Sequence, residues 1–166
     1  MVTSGTAGAL TLVCLAILGP GDEIIIPDPY FVIYPTLARI AEAKAVLCDT
    51  YPDFRMTVDR IEPLITSKTK AVLLNSPGNP TGAVLRADEV EAVANLCKER
   101  GILLITDEIY DEFIFPPTTH ASPASFSEDV LIVRGYSKTH GCTGWRLGYA
   151  AGPERLIDEM LKLKQQ

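Results

Sequence analysis

The sequence predicts an α/β fold: a mostly parallel sheet of seven strands with helices on both faces. Three observations carry that expectation. Short, almost wholly apolar runs recur along the chain, helix-like segments separate most of them, and most runs end in a turn of small or polar residues. Strands that are apolar on both sides belong to sheets covered on both faces. In such sheets a ligand sits beyond the carboxyl ends of the strands, so the residues just after each run are the ones to examine.

The elements follow in order. Met1-Val2-Thr3 reads as the tail of a strand entering a glycine turn, and a helix then runs to about Leu18. Residues 23–26 (EIII) form a strand closed by Pro27 and Pro29, and 34–42 read as a helix. Residues 45–48 (AVLC) are a strand, 58–65 a short helix and 71–74 (AVLL) a strand. Residues 88–100 carry the clearest helical signature. Val90, Val93, Leu96 and Cys97 share one face, Asp88 and Glu89 open the first turn, Lys98 and Arg100 close the last, and Gly101 stops it. Strands follow at 102–106 (ILLIT), 130–133 (VLIV) and 146–151, and an amphipathic helix occupies 154–166. Ends that fall inside a strand and a helix lead us to expect a segment of a longer protein.

Composition bounds the function. With 166 residues, 47% of them hydrophobic and 22% charged, the chain suits one soluble domain. A net charge of -6 argues against a nucleic-acid partner, although a local pocket can still be positive. The longest apolar run, 10–18, is too short to span a bilayer and lacks the basic flank of a signal peptide, so no membrane partner and a cytoplasmic location are expected. Cys14, Cys48, Cys97 and Cys142 show no CxxC spacing and no accompanying histidine cluster, which leaves reduced, mostly buried thiols and no metal site.

The turns after the strands carry the chemistry. Ser4-Gly5-Thr6-Ala7-Gly8 opens a helix, and the free N–H groups of such a turn suit an anion such as phosphate; a plain tight turn is the competing reading. Pro27-Asp28-Pro29-Tyr30-Phe31 presents aromatic rings that either pack in the core or stack on a flat ligand. Residues 75–82 (NSPGNPTG) make a rigid polar turn in which Asn79 offers donor and acceptor. Asp107 ends an apolar strand, where a buried carboxylate needs a partner; it either faces a ligand together with Tyr110, three residues on, or caps a helix. Of seven lysines, only Lys138, beside Ser137, follows a buried strand directly and sits among small and polar residues, where an amine can form a Schiff base. Arg146, eight residues on, lies amid apolar neighbours and calls for an anionic partner. His140 reads as a loop histidine, Cys142 and Trp145 as packing residues, and 116–127, with His120, as a surface loop.

The runs SGTAGAL, DPYFVIYP, NSPGNPTG, TDEIYDEF and YSKTHGCTGWRLGY, between Thr3 and Gly152, resemble the class I/II aminotransferases, the fold-type I enzymes that use pyridoxal 5'-phosphate (PLP). The set of NPTG, D-x-x-Y and S-K with an arginine eight residues later is the specific part. The resemblance implies that Lys138 carries the cofactor as an imine and moves protons. It implies that Asp107 pairs with the protonated pyridine nitrogen, and that Asn79 and Tyr110 bond the phenolic oxygen. Phe31 would stack on the ring; Gly5, Thr6, Ala7 and Arg146 would hold the phosphate, with Ser137 among the cofactor contacts. It further implies that residues 1–166 are a PLP-binding large domain with an antiparallel final strand, lacking a smaller domain contributed by both chain ends.

The implied function is amino-group transfer between an amino acid and a 2-oxo acid, in a homodimeric full-length protein. Carbon–sulfur lyases, aminocyclopropane carboxylate synthases and the sensor domains of certain transcriptional regulators share these motifs and stand as alternatives. Two departures are visible. Gly135 replaces a serine that contacts phosphate in many relatives, a loss of about 1 kcal/mol. The arginine that binds the substrate carboxylate has no equivalent here, so these 166 residues by themselves are expected to bind PLP weakly and turn over negligibly.

Overall fold

The computed structural model describes residues 1–165. Among them, strands and helices follow in the order β1 (Val2–Ser4), α1 (Gly5–Ile17), β2 (Glu23–Asp28), α2 (Tyr34–Ile40), β3 (Lys44–Asp49), α3 (Val58–Ile61), β4 (Thr69–Asn75), α4 (Ala87–Arg100), β5 (Leu103–Asp107), β6 (Val130–Gly135), β7 (Leu147–Ala151) and α5 (Glu154–Lys164). The strands form one seven-stranded sheet in the order β1-β7-β6-β5-β4-β2-β3. Neighbours from β3 to β6 pair in parallel, whereas β7 runs antiparallel to both β1 and β6. The expected fold class, including the reversed last strand, is therefore observed.

The apolar runs are buried on both faces, as their composition requires. Ile24 and Ile26 of β2 and Leu73 of β4 point into a core shared with α1, α2 and α5. Ile25, Val72 and Leu74 point the opposite way, into a second core beneath α3 and α4. Each such fully buried aliphatic side chain contributes about 1.5–3 kcal/mol. The helix α4 buries the predicted face, Val90, Val93, Leu96 and Cys97, and ends at Gly101 in the left-handed region. Burial pushes the thiols of Cys14 and Cys97 to about 12, so both stay protonated.

Several elements differ in extent from their sequence signature. Helix α2 stops at Ile40, and Glu42 turns left-handed just after it. The predicted 58–65 helix breaks at Pro63 into a 3-10 turn, Glu62–Leu64. Strands β4 and β5 continue past their apolar runs to Asn75 and Asp107, because main-chain pairing does not need an apolar side chain. That extension sets the register Asn75↔Asp107↔Val133 and aligns the polar strand ends in one row.

Candidate active site

A cavity of about 350 Å³ opens at this row of carboxyl ends. Thr6, Ala7, Phe31, Asn79, Asp107, Tyr110, Ser137, Lys138 and Arg146 line it, so every sequence-predicted site residue but Gly5 meets there. Tyr34, Asn75, Ile109 and Thr143 complete the wall.

Helix α1 supplies one end of the cavity. Ser4 makes no side-chain cap and no acidic residue stands in the first turn, so the N–H groups there remain free for an anion. Gly5 does not line the cavity but builds its corner. Its φ is 67°, and a Cβ on it would lie 2.9 Å from Arg146 Nη2. Gly148 packs beneath, where a Cβ would come within 2.6 Å of the Gly5 backbone. The two bare backbones thus let the Arg146 guanidinium lie against the start of α1. Arg146 is left-handed (φ 49°), donates to the Thr143 carbonyl at 3.3 Å and, among the described residues, has no carboxylate partner. The anionic partner expected from its sequence context is therefore not another side chain, and its remaining donors face the cavity.

Asp107 forms the opposite wall. Its carboxylate is buried; Oδ2 accepts from the Tyr34 hydroxyl at 3.0 Å and Oδ1 from the Ile109 N–H at 3.2 Å. No cation among the described residues pairs with it. Burial pushes its pKa up to about 6, against the hydrogen bonds from Tyr34 and Ile109, and the neighbouring Glu108 charge adds to the rise. The helix-cap alternative fails, since β5 leads into turns rather than a helix. Asn75 Nδ2 donates to the Asp107 carbonyl at 2.9 Å, and Asn75 Oδ1 accepts from the Asn79 N–H at 2.7 Å, which ties the 75–82 turn to β5. Lys138 is exposed at the cavity mouth, with Nζ 5.6 Å from the centre of the Tyr110 ring.

Glu108, next to Asp107, is itself fully buried and points away into a separate cluster of partly covered side chains. Its Oε2 accepts from Arg134 Nε and Nη2 at 2.9 and 2.6 Å and meets His120 Nε2 at 3.2 Å. Its Oε1 accepts from the Ser122 hydroxyl at 2.6 Å. Burial drives this carboxyl up, but the hydrogen bonds from His120, Ser122 and Arg134 outweigh it and hold it below the ordinary value.

Several sequence expectations are corrected here. Residues 116–127 form a largely exposed loop as expected, but the His120 ring turns inward to meet the buried Glu108 carboxylate. Trp145 does not pack; it is 81% exposed, because the turn into left-handed Arg146 directs the guanidinium inward and leaves the indole outside. Cys142 is only partly covered. A serine at Gly135 would place its Cβ 3.1 Å from Ile109 Cδ1 and 3.3 Å from Thr6 Cγ2, so glycine relieves crowding as well as removing a hydroxyl.

Sequence reasoning missed Tyr34 and Asn75. A tyrosine in an otherwise apolar helix start was the available signal for the first, since a buried hydroxyl needs a partner. The second stands at a strand end inside the NSPGNPTG turn.

A mostly parallel α/β sheet whose strand ends converge on a lysine, a buried carboxylate and an open helix N-terminus defines a class of α/β proteins with a ligand site at the carboxyl edge of the sheet. The comparisons make the family specific. A profile described as "Aminotransferase class I and II" matches residues 1–166. The chain is 38% identical to a probable aspartate/prephenate aminotransferase of Aquifex aeolicus, over 100% of this chain and 44% of that protein. It is 40% identical to an aspartate aminotransferase of Pyrococcus abyssi, over 99% of this chain and 43% of the relative. A Thermus thermophilus aspartate aminotransferase tetra mutant superimposes with a TM-score of 0.97 at 41% identity, over 100% of this chain and 46% of that one. The chain belongs to the class I and II aminotransferase family. It spans under half the length of the curated relatives it matches.

Proposed function

We propose that this chain is the PLP-holding large domain of an enzyme that moves an amino group between an L-amino acid and a 2-oxo acid. The observation that carries the reading is Asp107, a buried carboxylate with no cationic partner among the described residues, lining the same cavity as Lys138. A protonated pyridine nitrogen would supply the missing partner, and its positive charge would favour the ionised form of the carboxylate. The free first turn of α1 and the uncommitted donors of Arg146 suit the phosphate at the other end. The residues present therefore fit the cofactor.

When bound, PLP spreads the electron pair left behind as a proton leaves the substrate's α-carbon. The protein's part is positional. Asp107 would keep the ring nitrogen protonated, and Phe31 would cover the ring. Asn79 and Tyr110 would donate to its phenolic oxygen. Thr6, Ala7 and Arg146 would hold the phosphate, with Ser137 among the cofactor contacts and Gly5 shaping the corner behind them. The amine of Lys138 would hold the cofactor and would serve as the group that takes and returns the proton. The relatives are named for aspartate, which supports an amino acid and its 2-oxo acid as the substrate pair. By the same family membership we propose a homodimeric, cytoplasmic protein; no helix among the described residues is long and apolar enough to cross a membrane.

Adding PLP to the full-length protein is expected to produce an absorbance band near the visible edge that Lys138→Ala abolishes. An unchanged band in the variant refutes the assignment of Lys138. Keto-acid-dependent amino transfer is the expected activity; release of pyruvate and ammonia instead indicates a lyase.

A further inference from the structure

We propose that Tyr34 is a positioning residue for the proposed PLP site: its hydroxyl fixes the orientation of the Asp107 carboxylate toward the cavity and stabilises its charge. The inference rests on the PLP reading above and concerns a residue of the DPYFVIYP run to which the sequence reading gave no role. Its basis is geometric. Each Asp107 oxygen has one donor. Oδ1 is held locally, by the N–H two residues on, and Oδ2 by Tyr34, 73 positions away in the chain. The tyrosine is 2% exposed, so its hydroxyl has no solvent alternative. Without it the carboxylate keeps a single tether, the Ile109 N–H.

Tyr34 also couples two walls of the cavity. Phe31 lies edge-on to it, with ring centres 5.7 Å apart and planes at 83°. The residue proposed to cover the cofactor ring and the carboxylate proposed to meet its nitrogen are thus set by one side chain at the start of α2. The charges around Asp107 sharpen the case. Glu108 stands beside it, and Tyr110, Lys138 and Arg146 line the same cavity from the β5, β6 and β7 ends. None of these cations pairs with it, and Glu108 opposes its ionisation. The Tyr34 hydroxyl and the Ile109 N–H are the groups that favour the charged form. A neutral Asp107 offers a ring nitrogen no charge, so losing the hydroxyl should weaken cofactor binding even with the fold intact.

The test is Tyr34→Phe in the full-length protein freed of PLP and labelled with 13C at aspartate carboxyl carbons, Asp107 being identified through Asp107→Asn. The Asp107 resonance is expected to titrate about one pH unit or more higher in the variant than in the wild type. PLP affinity near neutral pH is expected to fall about tenfold. A midpoint equal to the wild type's overturns the proposal, since a merely structural tyrosine leaves the titration in place. Should Tyr34→Phe not fold, 13Cζ-labelled tyrosine in the wild type decides. The Tyr34 resonance must then move with the Asp107 midpoint, and a flat response overturns the proposal. PLP that binds neither protein strikes the cofactor reading instead, because the carboxyl titration judges Tyr34 independently.

Discussion

Arg134 anchors the strand end that leads to Lys138, and replacing it by methionine tests how the two central loops of the site are held. Methionine keeps much of the apolar stem and removes the cation. Glu108, 0% exposed, then loses its two donors at 2.9 and 2.6 Å and keeps Ser122 and His120 from the loop and Thr106, at 3.3 Å, from β5. Stripping one partner from a buried ion pair costs about 3–5 kcal/mol. The second pair lost, Arg134 with Asp111 at 3.0 Å, is more exposed and adds about 1 kcal/mol or less.

The pH dependence follows from the same contacts. Glu108 sits below its ordinary pKa in the folded protein, so its stabilisation is present above that ordinary value and is lost as pH falls through the folded one. In Arg134→Met the burial penalty stays while the opposing hydrogen bonds shrink, and the carboxyl moves up. The deficit relative to wild type is therefore largest at neutral pH and narrows in acid as Glu108 takes a proton. Urea unfolding followed by circular dichroism at about pH 7 and about pH 5 measures both. A loss below about 1 kcal/mol at neutral pH, or a deficit that grows in acid, refutes the reasoning.

Asp107→Asn should trade cofactor binding for stability. The folded carboxyl is raised from 3.8 to about 6, so the cofactor-free protein loses stability as pH rises through that window. The variant is expected to be more stable by on the order of 2–3 kcal/mol above about pH 7, with no gain below about pH 4, and to bind PLP far more weakly. Equal thermal melts at neutral pH contradict a buried, unpaired carboxylate. Gly148→Ala should cost about 3 kcal/mol and displace Arg146 from α1, because its Cβ meets the Gly5 backbone at 2.6 Å. Chemical denaturation together with inorganic phosphate affinity checks this, and a variant as stable as wild type shows that the two backbones separate easily.

The alternation of elements was legible because it depends on neighbours in the chain. A strand buried on both sides must be apolar at every position, as Ile24, Ile25 and Ile26 are, and α4 wrote its cap residues and buried face into fourteen consecutive positions. The rule that ligands gather beyond parallel strand ends then singled out Asn79, Asp107 and Lys138 without coordinates. Strand order was another matter. Nothing local distinguishes β4 from β3 as the neighbour of β5, since pairing is chosen by the packing of the whole sheet.

The contacts that tune the site were equally out of reach. Tyr34 meets Asp107 across 73 residues, and Arg134 and His120 meet Glu108 across 26 and 12. Which of two adjacent acids, Asp107 or Glu108, enters the cavity is decided by the strand's alternation once β5 is seated between β4 and β6. The chain by itself determined which residue types stand at the strand ends, because local burial and turn geometry act over a few positions. Their partners, and hence the charge each one carries, were decided only by the tertiary structure, because desolvation and hydrogen bonding depend on what the rest of the fold brings within about 3 Å.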